Sequence, residues 1–454
     1  MSKKDRVKLI KTPLPGPKTR KLTKRGTELL SYGEYGDEEE IVFLASSAQG
    51  SLIEDVDGNR FIDFGSGWGN SNVGNCNPEV VEVINQMMGR LGVGYWTAYA
   101  NTVQRIELAE KLLSVCPERI NRVTFLTTGT EAVEGALRIM RRASERPFVL
   151  SFFGQFHGVS YGALGAGTMT SEGREDTAPL VNGFLFAPYP YTYRTPLRSR
   201  SGGGAGRATL EYIEDMLLTY QIPDESIAGV LVEPVMGESG VWIPPDDFLP
   251  GLRKMCDRYG WYLCIDEVQS GFGRCGKMWA FEHWKGAEPD IIVIGKGISG
   301  GLEPIAAVAG RAEVMDKAEA SVSGTYAGTP AGCAAAIKTI EILYRDGLFD
   351  YATELGEYGL GRLREMYEKY PIIGEVRCKG LWLAVEFVKD RKTKEKHFEA
   401  AKRVNAECLK RGLYMIYDEI GWFVRIQPPL NIERSLFEQG MDILEEAISI
   451  ANEE

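Results

Sequence analysis

In "DIIVIGKGISGG" (290–301), Lys296 follows the apolar run Ile291–Ile294 and has glycine on both sides. An amine in that setting is either a charge at the end of a buried strand or a nucleophile held in a cleft. Thirty residues earlier, Asp266 follows "WYLCI". Its carboxylate is expected to be partly buried and to need a partner. A third segment, "TTGTEA" (127–132), puts small residues at a helix start. Backbone N–H groups and the helix dipole favour an anion there.

Two readings account for these residues. In one, Lys296 and Asp266 form a structural salt bridge. In the other, the three segments hold pyridoxal phosphate. Its aldehyde condenses with a lysine amine, its ring nitrogen needs a carboxylate to stay protonated, and its phosphate needs a cup. A strand-to-helix turn such as "TTGT" is common and says little by itself. Asp266 and Lys296 beside it favour the cofactor.

Strands must position these groups. "RVTFL" (122–126) leads into the helical "EAVEGALRIMRRASE". "FVLSFF" (148–153), "GVLVEPV" (229–235), "WYLCIDEV" (261–268) and "IIVIGKG" follow, with helical stretches interleaved. Nearly continuous apolar strands separated by helices predict a mostly parallel sheet covered on both faces. Ligands of such sheets bind beyond the carboxyl ends of the strands. Thr127 to Thr130, His157, Glu233, Asp266 and Lys296 all interrupt the pattern at those ends. The expected organisation is an α/β chain: a large domain over 75–340, and a smaller α+β domain built from 1–74 and 341–454. "DVDGN" signals a hairpin turn at Asp57-Gly58, and "RSRSGGGAGRA" (198–208) reads as a flexible surface loop. "GFGRCGKM" (271–278) fits GxGxxG and nearly fits a phosphate-binding GxxxxGK[ST]. It fails both, because Met278 stands where Ser or Thr is needed and "DEVQS" separates it from the preceding strand.

The ordered set "DVDGNRFIDF", "TTGTEAVEGALR", "GQFHG", "VEPVMGESG", "IDEVQSGFGRCGK", "GKGISGG", "TYAGTP" and "FVRIQPP" resembles the class III pyridoxal-phosphate aminotransferases. That family, of fold type I, includes 4-aminobutyrate, ornithine and omega-amino-acid aminotransferases, and the resemblance spans nearly the whole chain. It implies that Lys296 is the Schiff-base lysine and proton shuttle and that Asp266 holds the ring nitrogen. It implies Val268 on one ring face, Phe156 on the other with His157 beside it, and Gln269 at the ring hydroxyl. Val268, two residues past Asp266, is expected on the same strand face. Gly129 and Thr130 would bind the phosphate, and Glu233 would sit near the ring hydroxyl and substrate. Thr325 resembles a threonine that reaches the partner subunit's phosphate, which implies a homodimer with a shared site, or a higher oligomer. Arg425 resembles the arginine that takes a substrate carboxylate bidentately. Glu238 resembles the glutamate that neutralises it for other substrates. Tyr95 and Trp96 either line the far end of the pocket or belong to the core.

The implied reaction moves an amino group from an amine or amino acid, an omega-amine or 4-aminobutyrate-like donor, to a 2-oxo acid. "GQFHGVSYG" and "APYPYTYR" also resemble the family's racemases and epimerases, and a non-catalytic binding protein of this fold is a weaker alternative. Met236, Thr329, Cys378 and "VGNCNP" (73–78) depart from the family pattern. Met236 and 73–78 bear on substrate identity.

Composition excludes other classes. The 454 residues carry a net charge of -11, which argues against nucleic acid or an anionic membrane as partner. The eight cysteines form no CxxC pair and read as reduced thiols of a cytoplasmic protein. No apolar run reaches the roughly 20 residues needed to span a bilayer. The basic start lacks an apolar signal segment and reads as a mobile arm. His283 and His397, in charged surroundings, are expected at the surface, and no metal site is expected.

Overall fold

The computed structural model describes residues 6–31, 42–92, 101–318, 324–416 and 421–453. The chain divides into two units, Met1–Asn77 with Glu354–Glu454, and Pro78–Thr353.

The second unit is built on seven strands. In spatial order they are Arg122–Leu126, Ala306–Gly310, Ile291–Ile294, Tyr262–Asp266, Ile227–Val232, Phe148–Phe153 and Phe184–Pro188. Ala306–Gly310 runs antiparallel to both neighbours, and the four pairings beyond Ile291–Ile294 are parallel. Every residue of Ile227–Val232, Ile291–Ile294 and Ala306–Gly310 is buried. That is why these strands read as unbroken apolar runs rather than alternating ones. The helix Gly129–Ser144 lays Ala132, Val133, Ala136, Leu137, Ile139, Met140 and Ala143 into the core, at the spacing of one helical face. The small residues of Ala306–Gly310 let that helix come close.

Register puts the chemistry at one sheet end. Cys264, Ile265 and Asp266 lie opposite Ile291, Ile292 and Val293. Asp290 pins this pairing from below. Its buried carboxylate accepts from the Leu263 N–H at 2.9 Å and pairs with Arg253 at 2.6 Å, Arg119 at 2.7 Å and Arg311 at 2.8 Å. Removing one partner of so buried a pair costs about 3–5 kcal/mol.

The first unit carries two sheets. One joins Ala45–Gln49, Leu52–Asp55 and Arg60–Asp63 to Leu413–Tyr414, so that both chain ends contribute to it. The other joins Ile373–Cys378, Leu383–Asp390, Glu395–Lys396 and Phe423–Ile426. The helices Phe398–Lys410 and Arg434–Asn452 pack against each other in this unit.

Three expectations need correction. The basic start is not simply a mobile arm, because Pro17–Leu29 is helical. Proline opens the helix, and Asp57 accepts from the Lys18 and Thr19 N–H groups at 2.9 Å each. "RSRSGGGAGRA" is not wholly a loose loop. The helix Ala205–Tyr212 starts inside it, and Glu211 accepts from the Arg200 N–H at 2.8 Å. His283 and His397 are half-buried rather than surface residues. His283 Nε2 lies 2.7 Å from the Cys275 carbonyl oxygen, and His397 Nδ1 accepts from the Ala400 N–H to cap its helix.

None of the eight cysteines is in a disulfide. Among the described residues no helix is long and apolar enough to cross a membrane, and no His/Cys/Asp/Glu group could hold a metal ion.

Candidate active site

Asp266 is the last residue of its strand. One carboxylate oxygen lies 2.8 Å from His157 Nδ1, and the other accepts from the Val268 N–H at 3.0 Å. The simple Lys296–Asp266 salt bridge is therefore not how Asp266 is satisfied. Val268 lies past the strand end, so strand alternation does not explain its position. A turn closed by Asp266 does. The Val268 side chain packs against two glycines: an added Cβ would meet its Cγ1 at 2.9 Å from Gly129 and 3.2 Å from Gly295.

Lys296 stands one residue past its strand, after Gly295. Its φ is 45°, in the left-handed region that side chains avoid. Such a residue persists where its surroundings over-determine it, at about 1–3 kcal/mol of strain. Gly295 in front and Gly300 at φ 63° behind allow the short 3₁₀ turn that re-aims the chain. Lys296 Nζ sits 3.6 Å from Glu238 Oε1.

Glu233 follows the end of Ile227–Val232. Its oxygens accept from the Phe156 and Gly237 N–H groups, both at 2.9 Å. Burial pushes its carboxyl up to about 7, and Asp266 adds to this, while His157 and the two N–H groups pull the other way. The helix Gly129–Ser144 is capped by Thr128, whose Oγ1 accepts from the Glu131 N–H at 3.2 Å, and Glu131 in turn accepts from the Thr127 N–H, one residue before the cap, at 2.9 Å. The first N–H groups of any helix lack intrahelical partners, so Gly129 and Thr130 offer donors to an anion. Thr130 Oγ1 accepts from the Val159 N–H at 3.3 Å, which ties this end to the His157 loop.

These ends enclose a cavity of about 160 Å³. Gly129, Thr130, Phe156, His157, Glu233, Asp266, Val268, Gln269 and Lys296 line it, joined by Thr128 and Gly158. A larger, more open groove of about 700 Å³ lies elsewhere, beside Arg174 and Phe184. Its Arg174 already donates to the carbonyls of Leu164, Gly165 and Gly167, so the smaller cavity is the better reaction site. Thr325 lies exposed in a turn before the helix Pro330–Arg345. Arg425 belongs to the first unit, fully buried on Phe423–Ile426 opposite Ala384. Tyr95 and Trp96 lie outside the described residues.

Sequence reasoning missed Gln155, whose amide reaches His157 Nε2 at 3.0 Å. Its place two residues before His157 in "GQFHG" was the available signal. It also missed Glu267, which accepts from the Ser270 hydroxyl at 2.6 Å and the Phe281 N–H at 2.9 Å. Burial pushes that carboxyl up to about 8. "GFGRCGKM" closes on itself through Phe272 N–H to Met278 and Gly273 N–H to Lys277, which occupies donors that a phosphate would need.

A family model for aminotransferase class-III matches residues 35–448. The chain belongs to the class III aminotransferases. Among curated members, the alanine/serine racemase of Pyrococcus horikoshii is 32% identical over 97% of this chain and 92% of that protein. The probable 4-aminobutyrate aminotransferase of Bacillus subtilis is 34% identical over 88% and 92%. A solved amine transaminase from an uncultivated Pseudomonas species, in its pyridoxal-phosphate-bound form, superposes with a TM-score of 0.84. It is 29% identical, over 92% of this chain and 96% of that one. The chain is thus a fold type I enzyme dependent on pyridoxal 5'-phosphate. Its cavity suits that group, having an amine, a buried carboxylate for a ring N–H, apolar Val268 and Phe156, and a helix N-terminus for a phosphate.

Proposed function

We propose that this cavity is the reaction site of an aminotransferase, with Lys296 carrying the cofactor and a 2-oxo acid accepting the amino group. The observation behind this is that Lys296, the Asp266–His157 pair and the start of the helix Gly129–Ser144 share one cavity. When bound, the cofactor supplies an electron sink for the carbon bearing the amino group. Asp266 keeps a negative charge facing the ring nitrogen. The Lys296 amine takes a proton from the reacting carbon and returns one. Glu238, 3.6 Å from Nζ, favours the protonated amine and so assists the uptake. Val268 and Phe156 cover the ring and keep water out, Gln269 and Glu233 orient its hydroxyl side, and Gly129 and Thr130 hold the phosphate.

The donor class we infer is an amine or amino acid, with 4-aminobutyrate-like and omega-amines first, in keeping with the relative from Bacillus subtilis. We further propose a homodimer in which Thr325, exposed on a single chain, completes the partner's phosphate site. We place the protein in a reducing, cytoplasmic setting, with which eight cysteines outside any disulfide accord. Racemisation is the second reading, favoured by the Pyrococcus relative.

The test of the site is direct. Borohydride treatment of the holoenzyme should fix the cofactor covalently to Lys296 in a peptide map, and Lys296→Ala should abolish both labelling and turnover. A label on another lysine sinks the assignment.

A further inference from the structure

Behind Asp266 the polar side chains continue inward. His157 turns Nδ1 to Asp266 and Nε2 to the Gln155 amide, at 2.8 and 3.0 Å. Gln155 and Ser151 are both fully buried. The Ser151 hydroxyl lies 3.4 Å from the same end of that amide and donates to the Ala166 carbonyl at 2.8 Å. A primary amide can turn about its last bond, exchanging oxygen and NH₂ without changing shape, and the surrounding network selects between the two.

With oxygen toward His157, both imidazole nitrogens must donate, and the ring is an imidazolium. The Gln155 NH₂ is then buried without a partner. With NH₂ toward His157, one hydrogen meets the Nε2 lone pair and the other meets the Ser151 oxygen. The Ser151 hydroxyl still donates to Ala166, and a single carbonyl oxygen is left unfilled. A buried NH₂ with two unmet donors costs more than one unfilled carbonyl oxygen.

We infer that Gln155 donates to His157 Nε2 and holds the imidazole neutral, with its one proton on Nδ1 bonded to Asp266. This rests on the proposed reading of the cavity and deepens it. A second proton on the ring would have to sit on Nε2, because Nδ1 already faces Asp266. An imidazolium would cancel the Asp266 charge that the cofactor's ring nitrogen needs. A hydrogen donated by Gln155 occupies the Nε2 lone pair and keeps that proton away. Gln155 touches no reacting atom, so it is a positioning residue acting through His157.

The chain has three histidines, so holoenzyme grown with nitrogen-15 histidine gives few ring signals. His283→Gln and His397→Gln assign the other two. Near neutral pH, His157 should show Nδ1 in the protonated range and Nε2 in the bare, lone-pair range. Gln155→Glu should move Nε2 into the protonated range, because a carboxylate accepts from it, and should shift the pH midpoint of the cofactor's visible absorbance. Two protonated nitrogens in the wild type, or a bare Nδ1, overturn the inference. Loss of visible absorbance in the wild type overturns the cofactor reading instead, and the ring signals still decide the tautomer.

Discussion

Asp266 and His157 lie 109 residues apart in the chain, yet their side chains meet at 2.8 Å in a site where both are buried. The Asp266 strand ends there, and the loop after Phe148–Phe153 brings the imidazole across one intervening strand. The imidazole and the Val268 N–H, rather than a lysine, satisfy this buried carboxylate. Asp266→Asn preserves shape and removes that charge. It should leave the unfolding midpoint nearly unchanged and slow deuterium exchange at the reacting carbon by roughly 100-fold or more, the scale on which a lost electrostatic stabiliser acts. An exchange rate equal to that of the wild type would show that the electron sink does not depend on Asp266.

Gly158 sits at φ 135°, and an added Cβ would lie 2.5 Å from Thr130 Oγ1 and 3.0 Å from Thr130 Cα. Gly158→Ala must displace the first turn of the helix that is proposed to hold the phosphate. Cofactor retention should weaken by about 1–3 kcal/mol, the scale of stored backbone strain. Titrating the apoenzyme with pyridoxal phosphate measures it. An unchanged dissociation constant would detach Thr130 from phosphate binding.

The strand ends were legible because each breaks an apolar run with a polar residue, as Asp266 does after "WYLCI" and Lys296 after "IIVIG". Their register was not, because it depends on Asp290 bonding Leu263, a contact that no local pattern announces. Val268 lines the cavity, but not by strand alternation: it stands past the strand end, in a turn closed by Asp266. The first turn of the N-terminal helix escaped notice because Asp57, some 40 residues downstream, supplies its acceptors. Gln155 was passed over because an amide carries no charge, and its meaning lies wholly in the two buried groups that it bridges.

Glu267 predicts a pH effect on stability. Burial raises its carboxyl from the ordinary 4.5 to about 8. Between these values the folded chain keeps a proton that the unfolded chain has released. Stability therefore falls as pH rises through this window, by about 1.4 kcal/mol per unit for this group, and levels off above it. Glu267→Gln should flatten that slope in urea unfolding measured across the window, even if weaker bonds to Ser270 and Phe281 lower stability throughout. A variant that keeps the wild-type slope would assign the effect to other groups.

Transfer and racemisation differ in how many proton carriers they need. A racemase must deliver a proton to the face opposite the lysine. Transfer can run with one carrier. Among the described residues lining the cavity, the other titratable groups are committed elsewhere. Glu233 accepts two backbone N–H groups, Asp266 accepts from His157 and Val268, and His157 is bonded through both nitrogens. Lys296 is the group aimed at chemistry, and that favours transfer. With 2-oxoglutarate or pyruvate present, an amine donor should turn over and the oxo acid should be aminated. Without an oxo acid, L- and D-amino acids should interconvert slowly or not at all. Full-rate interconversion of enantiomers with little transfer would give the reaction to the racemase reading, and would call for a second proton carrier outside the groups bonded here.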